Sequence, residues 1–202
     1  MMPTPKLLNV GGGSKSIAIP KHYVGFEHLL LDIDPSGEPD IVKDARLLRE
    51  LEPQQFDAIY CSHNLEHYRA HEVPKVLAGF AHVLTNDGMV EICVPDLDMV
   101  MRAYVEKNLD LDGVLYTASV GEIAVRDVLY GWGKQIEKTG QDFYAHRTGF
   151  TETTMVRHLS AAGFNHVIRR PGRAFELHVV AFRVAPTEAQ RQLLKIRYTA
   201  AR

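Results

Sequence analysis

Leu7-Leu8-Asn9-Val10 is an apolar, strand-like run that ends in Gly11-Gly12-Gly13. Glycine at a strand end lets the backbone take positive φ and approach a bound nucleotide closely. Two carboxylates follow at later strand ends, Asp32 in Leu31-Asp32-Ile33 and Asp44 in Val42-Lys43-Asp44-Ala45. A carboxylate in the first place can accept both hydroxyls of an adenosine ribose, and one in the second can accept from an adenine amino group. Alone, each aspartate also reads as a turn or cap residue. Phosphate-binding templates do not fit. A dinucleotide fingerprint begun at Gly11 needs glycine where Ser16 stands, and a P-loop ending in Lys15-Ser16 needs glycines where Asn9 and Ser14 stand. Pro20 also bars the long helix whose N-terminus would hold a phosphate.

A second group, His63-Asn64-Leu65-Glu66-His67, follows an apolar strand. Its H-x-x-E-H spacing is that of an inverted zinc-peptidase motif. That chemistry needs both histidines on one helical turn, a third ligand downstream and the glutamate as base. No paired downstream ligand motif stands out, so no metal is expected. Cys61 and Cys93 are too few for a disulfide framework or a four-cysteine metal site.

These groups need elements to hold them. Strands are expected over Lys6–Val10, Glu27–Ile33, Asp40–Val42, Phe56–Ser62 and Met89–Val94. Val73, Val76, Leu77, Phe80, Ala81 and Leu84 repeat at helical spacing, with Pro74 in the first turn and Asn86-Asp87-Gly88 as a stop and turn. Strands alternating with helices imply a parallel sheet covered on both faces. Thr151 reads as the cap of a last helix closed by Gly163-Phe164, followed by Val167–Arg169 and Phe175–Val184 as an antiparallel pair turning at Pro171-Gly172. Residues 97–150 break the alternation and read as a mostly helical insertion, a lid that sets acceptor choice and leaves cofactor binding to residues before 70. A structural flap or a dimer surface is the alternative. Thr187–Arg202 reads as a further helix with Ala189, Leu193, Ile196 and Ala200 on one side.

The 202 residues are 46% hydrophobic and 24% charged, with net charge -2, which fits one globular domain and excludes a disordered or repetitive chain. Residues 1–144 carry 13 basic and 22 acidic side chains, against 10 and 3 in residues 145–202. The arginines of that basic segment are scattered, without interleaved aromatics, so a solvated face is expected and nucleic acid is not expected as a partner. No apolar run approaches a membrane span, no signal segment opens the sequence, and a cytoplasmic protein is expected. Sequence gives no oligomeric state.

With its strand–glycine loop, Leu31-Asp32-Ile33, Asp44-Ala45, Phe56–His67, Val83–Val90 and Val94-Pro95-Asp96-Leu97, the sequence resembles the class I S-adenosylmethionine-dependent methyltransferases. It is most similar to a branch of small bacterial proteins often associated with cell-surface glycans. The resemblance is good over residues 6–96 and looser at Tyr130-Gly131, His146 and Ala162-Gly163-Phe164. It implies a Rossmann-like α/β domain, a mostly parallel sheet with an antiparallel C-terminal strand, and S-adenosylmethionine as cofactor. It further implies a small-molecule or glycan-type acceptor. By position, Gly11 and Gly13 would line the methionine and ribose, Asp32 the ribose hydroxyls and Asp44-Ala45 the adenine, with His63 beside the sulfonium. Asn9 stands where the family usually has an acidic residue, and only Gly11–Phe26 separates the first two strands, so the first helix is short or absent.

Methyl transfer needs in-line alignment more than acid–base chemistry. A base near the methyl helps where the acceptor is a hydroxyl or amine. His63 and His67 are the expected catalytic groups, His63 acting as neutral imidazole. Asp96, Tyr130 and His146 are weaker substrate-binding candidates. A methyltransferase-fold binding protein without catalysis, and a zinc hydrolase through His63, Glu66 and His67, are the competing readings.

Overall fold

A computed structural model describes residues 3–118 and 120–196. The strands are β1 (Lys6–Val10), β2 (Glu27–Asp32), β3 (Ile41–Val42), β4 (Phe56–Ser62), β5 (Leu84–Pro95), β6 (Val114–Ala118), β7 (Gly121–Ala124), β8 (His166–Arg170) and β9 (Glu176–Phe182). The helices are α1 (Val73–Val83), α2 (Leu97–Glu106), α3 (Val125–Tyr130), α4 (Gly133–Thr139), α5 (Glu152–Ala161) and α6 (Glu188–Leu194). Seven strands form one sheet in the order β3-β2-β1-β4-β5-β9-β8. β1 to β5 run parallel, and β9 lies antiparallel to β5 and β8. The order reverses at β1, which opens a crevice at the strand C-termini between β1 and β4.

Alternate residues of the central strands serve two faces. On one face Leu8, Val10, Ile59, Cys61, Val90 and Ile92 pack with Val76, Phe80 and Val83 of α1 and Met155 and Leu159 of α5. On the other, Leu7, Ala58, Met89, Val180 and Phe182 pack with Tyr23 and with Leu193 and Leu194 of α6. Between β1 and β2 the described residues form one short 3-10 turn, Lys21–Tyr23, as Pro20 implies. Tyr23 is anchored beneath the sheet, its hydroxyl donating to Glu91 at 2.7 Å.

Four local expectations are corrected. Asn86-Asp87-Gly88 is not a turn between elements but an irregular stretch within β5, where the register jumps from Phe56↔Leu84 to Ala58↔Met89. The Arg183 guanidinium makes this possible, donating to the carbonyls of Ala81, Leu84 and Thr85 as the helix gives way to strand. Residues 97–150 are not mainly helical throughout: β6 and β7 form an antiparallel hairpin over α2 and α3, with Leu115, Val100 and Val128 sharing a small core. The β8–β9 connection spans residues 171–175, with Phe175 at φ 57°, so Pro171-Gly172 is only its start. α6 ends at Leu194 with Lys195 left-handed, and the rest of the expected helix, 197–202 with Ala200, lies outside the described residues. Among the described residues no helix is long and apolar enough to cross a membrane.

Candidate active site

The crevice is a groove of about 570 Å³ lined by Gly11, Gly13, Asp32, Asp44, His63 and His67, with Arg46, Tyr68 and Glu72 along one rim. Gly11 sits at φ 70°, and a Cβ there would lie 2.1 Å from the Asn64 amide nitrogen. Glycine is therefore required both for the turn and for the close approach of the loop after β4.

Asp32 ends β2 almost fully buried. Its Oδ2 accepts from the Gly13 N–H at 2.9 Å and its Oδ1 from the Asp34 N–H at 2.9 Å. Each oxygen keeps lone-pair capacity toward the groove, so the carboxylate is oriented without being used up. Asp34 is occupied differently, capping the Pro35–Gly37 turn through the Ser36 N–H at 2.9 Å.

Asp44 caps the 3-10 helix Ala45–Glu50, accepting from the Arg46 N–H at 2.8 Å. The Arg46 guanidinium also grips it in a fork and bridges to Glu72. Burial alone would raise the Asp44 pKa, but the Arg46 hydrogen bonds hold it below the usual carboxylate range. Asp44 thus presents a shared anionic edge rather than a free carboxylate. The Ala45 side chain packs in the core beneath.

His63 departs from the expected neutral imidazole. It leaves β4 at φ 49°, its Nε2 lies 3.2 Å from Glu176 Oε2, and its Nδ1 lies 3.4 Å from Glu66 Oε1. Burial would lower its pKa, yet the contact with Glu176 and the charge of nearby Glu66 prevail and hold it at about 10. At neutral pH it is an imidazolium between two carboxylates, with no lone pair to take an acceptor proton. His67 is placed at the same end of the groove, with Nδ1 3.1 Å from the Ala145 carbonyl and Nε2 3.2 Å from the His63 carbonyl.

The insertion reaches into this site. Asp142, Phe143, Tyr144 and Arg147 line the groove, so it is not left to residues before 70. The Arg147 and Thr148 N–H groups donate to the Glu66 carbonyl at 2.7 and 3.2 Å, which brings His146 against Glu66. A second cavity, about 260 Å³, lies beside the first and is lined by Glu66, Pro95, Leu97, Tyr130, His146 and Arg147. Tyr130 is 66% exposed at its mouth. His146 donates from Nδ1 to the Val128 carbonyl at 2.8 Å, and burial lowers its pKa.

Asp96 is brought to neither of these two cavities but lines a third, of about 640 Å³, with Arg102, Thr151, Glu152 and Arg169. It caps α2, accepting from the Asp98 and Met99 N–H groups, and pairs with Arg169 at 3.0 Å. Sequence reasoning missed Arg46, Phe143, Tyr144, Arg147 and Glu176. Arg46 and Glu176 had no motif around them, and the others arrive only through the fold of the insertion.

No protein-family model and no curated protein matches the chain in sequence. Its architecture does match solved structures. A SAM-dependent methyltransferase from Archaeoglobus fulgidus aligns with TM-score 0.53 at 13% identity, over 88% of this chain and 86% of that one. One from Thermotoga maritima aligns with TM-score 0.56 at 13% identity, over 91% and 84%. Human N-acetylserotonin methyltransferase, solved with SAM, aligns with TM-score 0.55 at 16% identity, over 90% of this chain and 48% of that one. At such identities the likeness speaks for the backbone alone. The strand order, the antiparallel β9 and these alignments together give the chain the Rossmann-like fold of the SAM-dependent methyltransferases.

Proposed function

We propose that the protein transfers a methyl group from S-adenosylmethionine to a small-molecule acceptor, glycan-type acceptors included. The observation that carries this is Asp32. A buried carboxylate stands at the β2 terminus, fixed by two backbone N–H groups beside the glycine loop, with acceptor capacity for two vicinal hydroxyls. The donor set also fits the cofactor's charge. Among the described residues only the short Lys21–Tyr23 turn follows the glycine loop before β2, too short to hold a phosphate at its N-terminus, and the sulfonium cofactor carries none.

In this reading Asp32 binds the ribose, Gly11 and Gly13 border the ribose and methionine, and the Asp44–Arg46 edge meets the adenine. Phe143 and Tyr144 close the groove over the cofactor. When bound, the cofactor supplies an already activated methyl, so the protein's task is alignment. The adjoining cavity with Tyr130 at its mouth receives the acceptor, and His67 stands at the junction. His63 serves as a positioning residue, ordering Glu66 and Glu176; the two carboxylates outweigh its single charge and leave the place of the sulfonium anionic.

Isothermal calorimetry with S-adenosylhomocysteine tests the reading. One molecule bound per chain is expected, followed by S-adenosylhomocysteine release from S-adenosylmethionine in a screen of hydroxylated small molecules and sugars. Absence of binding at millimolar ligand would overturn the proposal, and binding without turnover on any acceptor would leave a binding protein of this fold.

A further inference from the structure

We propose that Glu66, His67 and His146 form a site for one divalent transition-metal ion in the wall between the two cavities. One nitrogen or oxygen from each lies within 4.8 Å of the others. Glu66 is 1% exposed, and both its carboxylate oxygens are buried without a hydrogen-bond partner. A carboxylate in that state is costly unless a cation meets it. The His63 imidazolium approaches only Oε1, at 3.4 Å, and is itself shared with Glu176. Oε2 has no partner among the described residues.

The histidines are prepared as ligands. His146 donates its Nδ1–H to the Val128 carbonyl at 2.8 Å, which leaves a bare Nε2 4.0 Å from Glu66 Oε1. His67 has a backbone carbonyl near each ring nitrogen, Ala145 3.1 Å from Nδ1 and His63 3.2 Å from Nε2, so the ring holds on one of them and turns off the other to offer a lone pair to an ion. Backbone carbonyls holding the far nitrogen are the usual support of metal-binding imidazoles. The two rings meet edge to face, centroids 5.0 Å apart. The set is not that of the H-x-x-E-H motif, since His63 stays outside it and Glu66 is a ligand; His146 is the member from the insertion. It arrives because the amides of residues 147 and 148 bind the Glu66 carbonyl.

Two imidazoles and one carboxylate suit Zn²⁺, Mn²⁺, Fe²⁺ or Co²⁺ and not the all-oxygen preference of Ca²⁺ or Mg²⁺. Ligand distances of about 2.0–2.2 Å require the three side chains to draw together slightly around the ion. Any coordination positions the three side chains left open would meet the cavities that they line. Resting on the methyl-transfer reading, these positions would take an acceptor hydroxyl and lower its pKa. The hydroxyl proton goes to water, the oxygen lone pair forms the new C–O bond, and the C–S electron pair returns to sulfur as the neutral thioether leaves.

The test is titration of chelator-treated protein with Co²⁺, followed by its visible ligand-field absorption, and with Zn²⁺ by calorimetry; Mg²⁺ serves as the comparison. One Co²⁺ or Zn²⁺ per chain is expected, with a raised thermal midpoint and little response to Mg²⁺. His146→Ala and Glu66→Gln should each weaken binding at least tenfold, while His71→Ala, an exposed histidine outside the cluster, should leave it unchanged. No stoichiometric ion in the wild type, or unchanged binding in a folded His146→Ala variant, would overturn the site. Calorimetry with S-adenosylhomocysteine on the same samples separates the two readings. Cofactor binding without metal binding defeats the metal site alone, and metal binding without cofactor binding supports the site while defeating the methyl-transfer reading.

Discussion

The Gly13 N–H donates to Asp32 Oδ2 at 2.9 Å, which ties the loop after β1 to the tip of β2. Loop and carboxylate therefore act as one unit. Asp32→Ala removes both the ribose acceptor and this tie. Charge-assisted hydrogen bonds of this kind are worth about 1.5–3 kcal/mol, so S-adenosylhomocysteine affinity should fall roughly ten- to a hundredfold. Asp34→Ala, which removes only a turn cap, should change it much less. Equal losses in the two variants would refute the assignment.

The insertion lines the groove through Phe143 and Tyr144, whose ring centroids lie 4.7 Å apart. Phe143→Ala combined with Tyr144→Ala should weaken S-adenosylhomocysteine binding by about tenfold, or 1.4 kcal/mol. The far-UV circular dichroism should stay close to wild type, because neither ring belongs to the buried cores. Unchanged affinity would restore the simpler picture of an insertion devoted to the acceptor.

Arg183 satisfies three carbonyls where α1 runs directly into β5. Arg183→Met keeps the stem and leaves those acceptors unpaired. A loss of about 2–3 kcal/mol in urea unfolding is expected. Arg183→Lys should recover only part of it, since an ammonium places its three donors on one atom and lacks the planar fork that spans these carbonyls.

Glu91 lies buried in β5 and accepts from Tyr23, with His22 Nε2 at 2.8 Å and His178 Nε2 at 2.7 Å. Burial would raise its pKa, but the bonds from His178, His22 and Tyr23 hold it at about 2. The folded value lies below the unfolded one, so the stabilisation is complete above pH 4.5 and is lost as pH falls toward 2. Its full size is about 3 kcal/mol at most. Urea midpoints should drop steeply below pH 4.5 in the wild type. A Glu91→Gln variant should be less stable at pH 7 and show a shallower slope, with Asp44 and the other lowered carboxylates supplying the rest, and an identical slope would place the acid sensitivity elsewhere.

The parallel strands, α1 and the glycine loop beside Asp32 were legible in the sequence because each is written in local pattern: an apolar run, a helical stripe, a turn of glycines. β6 and β7 were not, since two short strands with partly exposed side chains carry little periodicity and are held by packing on α2 and α3. The three-membered cluster was half legible. Glu66 and His67 are adjacent, but His146 joins them through backbone hydrogen bonds that no spacing encodes. The carboxylate contacts of His63 were hidden for a similar reason: Glu176 lies on a strand remote in sequence.

The short turn at Lys21–Tyr23 leaves the underside of β1 to be covered by α6, with Leu7 and Leu194 in one cluster. This reverses the order in which a ribosome would supply the parts. Leu7 and Tyr23 emerge well before Leu194, so the nascent sheet keeps part of an apolar face open until α6 has been made. Such intermediates invite aggregation or chaperone capture. A stop codon after Val184 would therefore be felt at the first strand, as lost soluble yield, with every groove-lining residue still encoded.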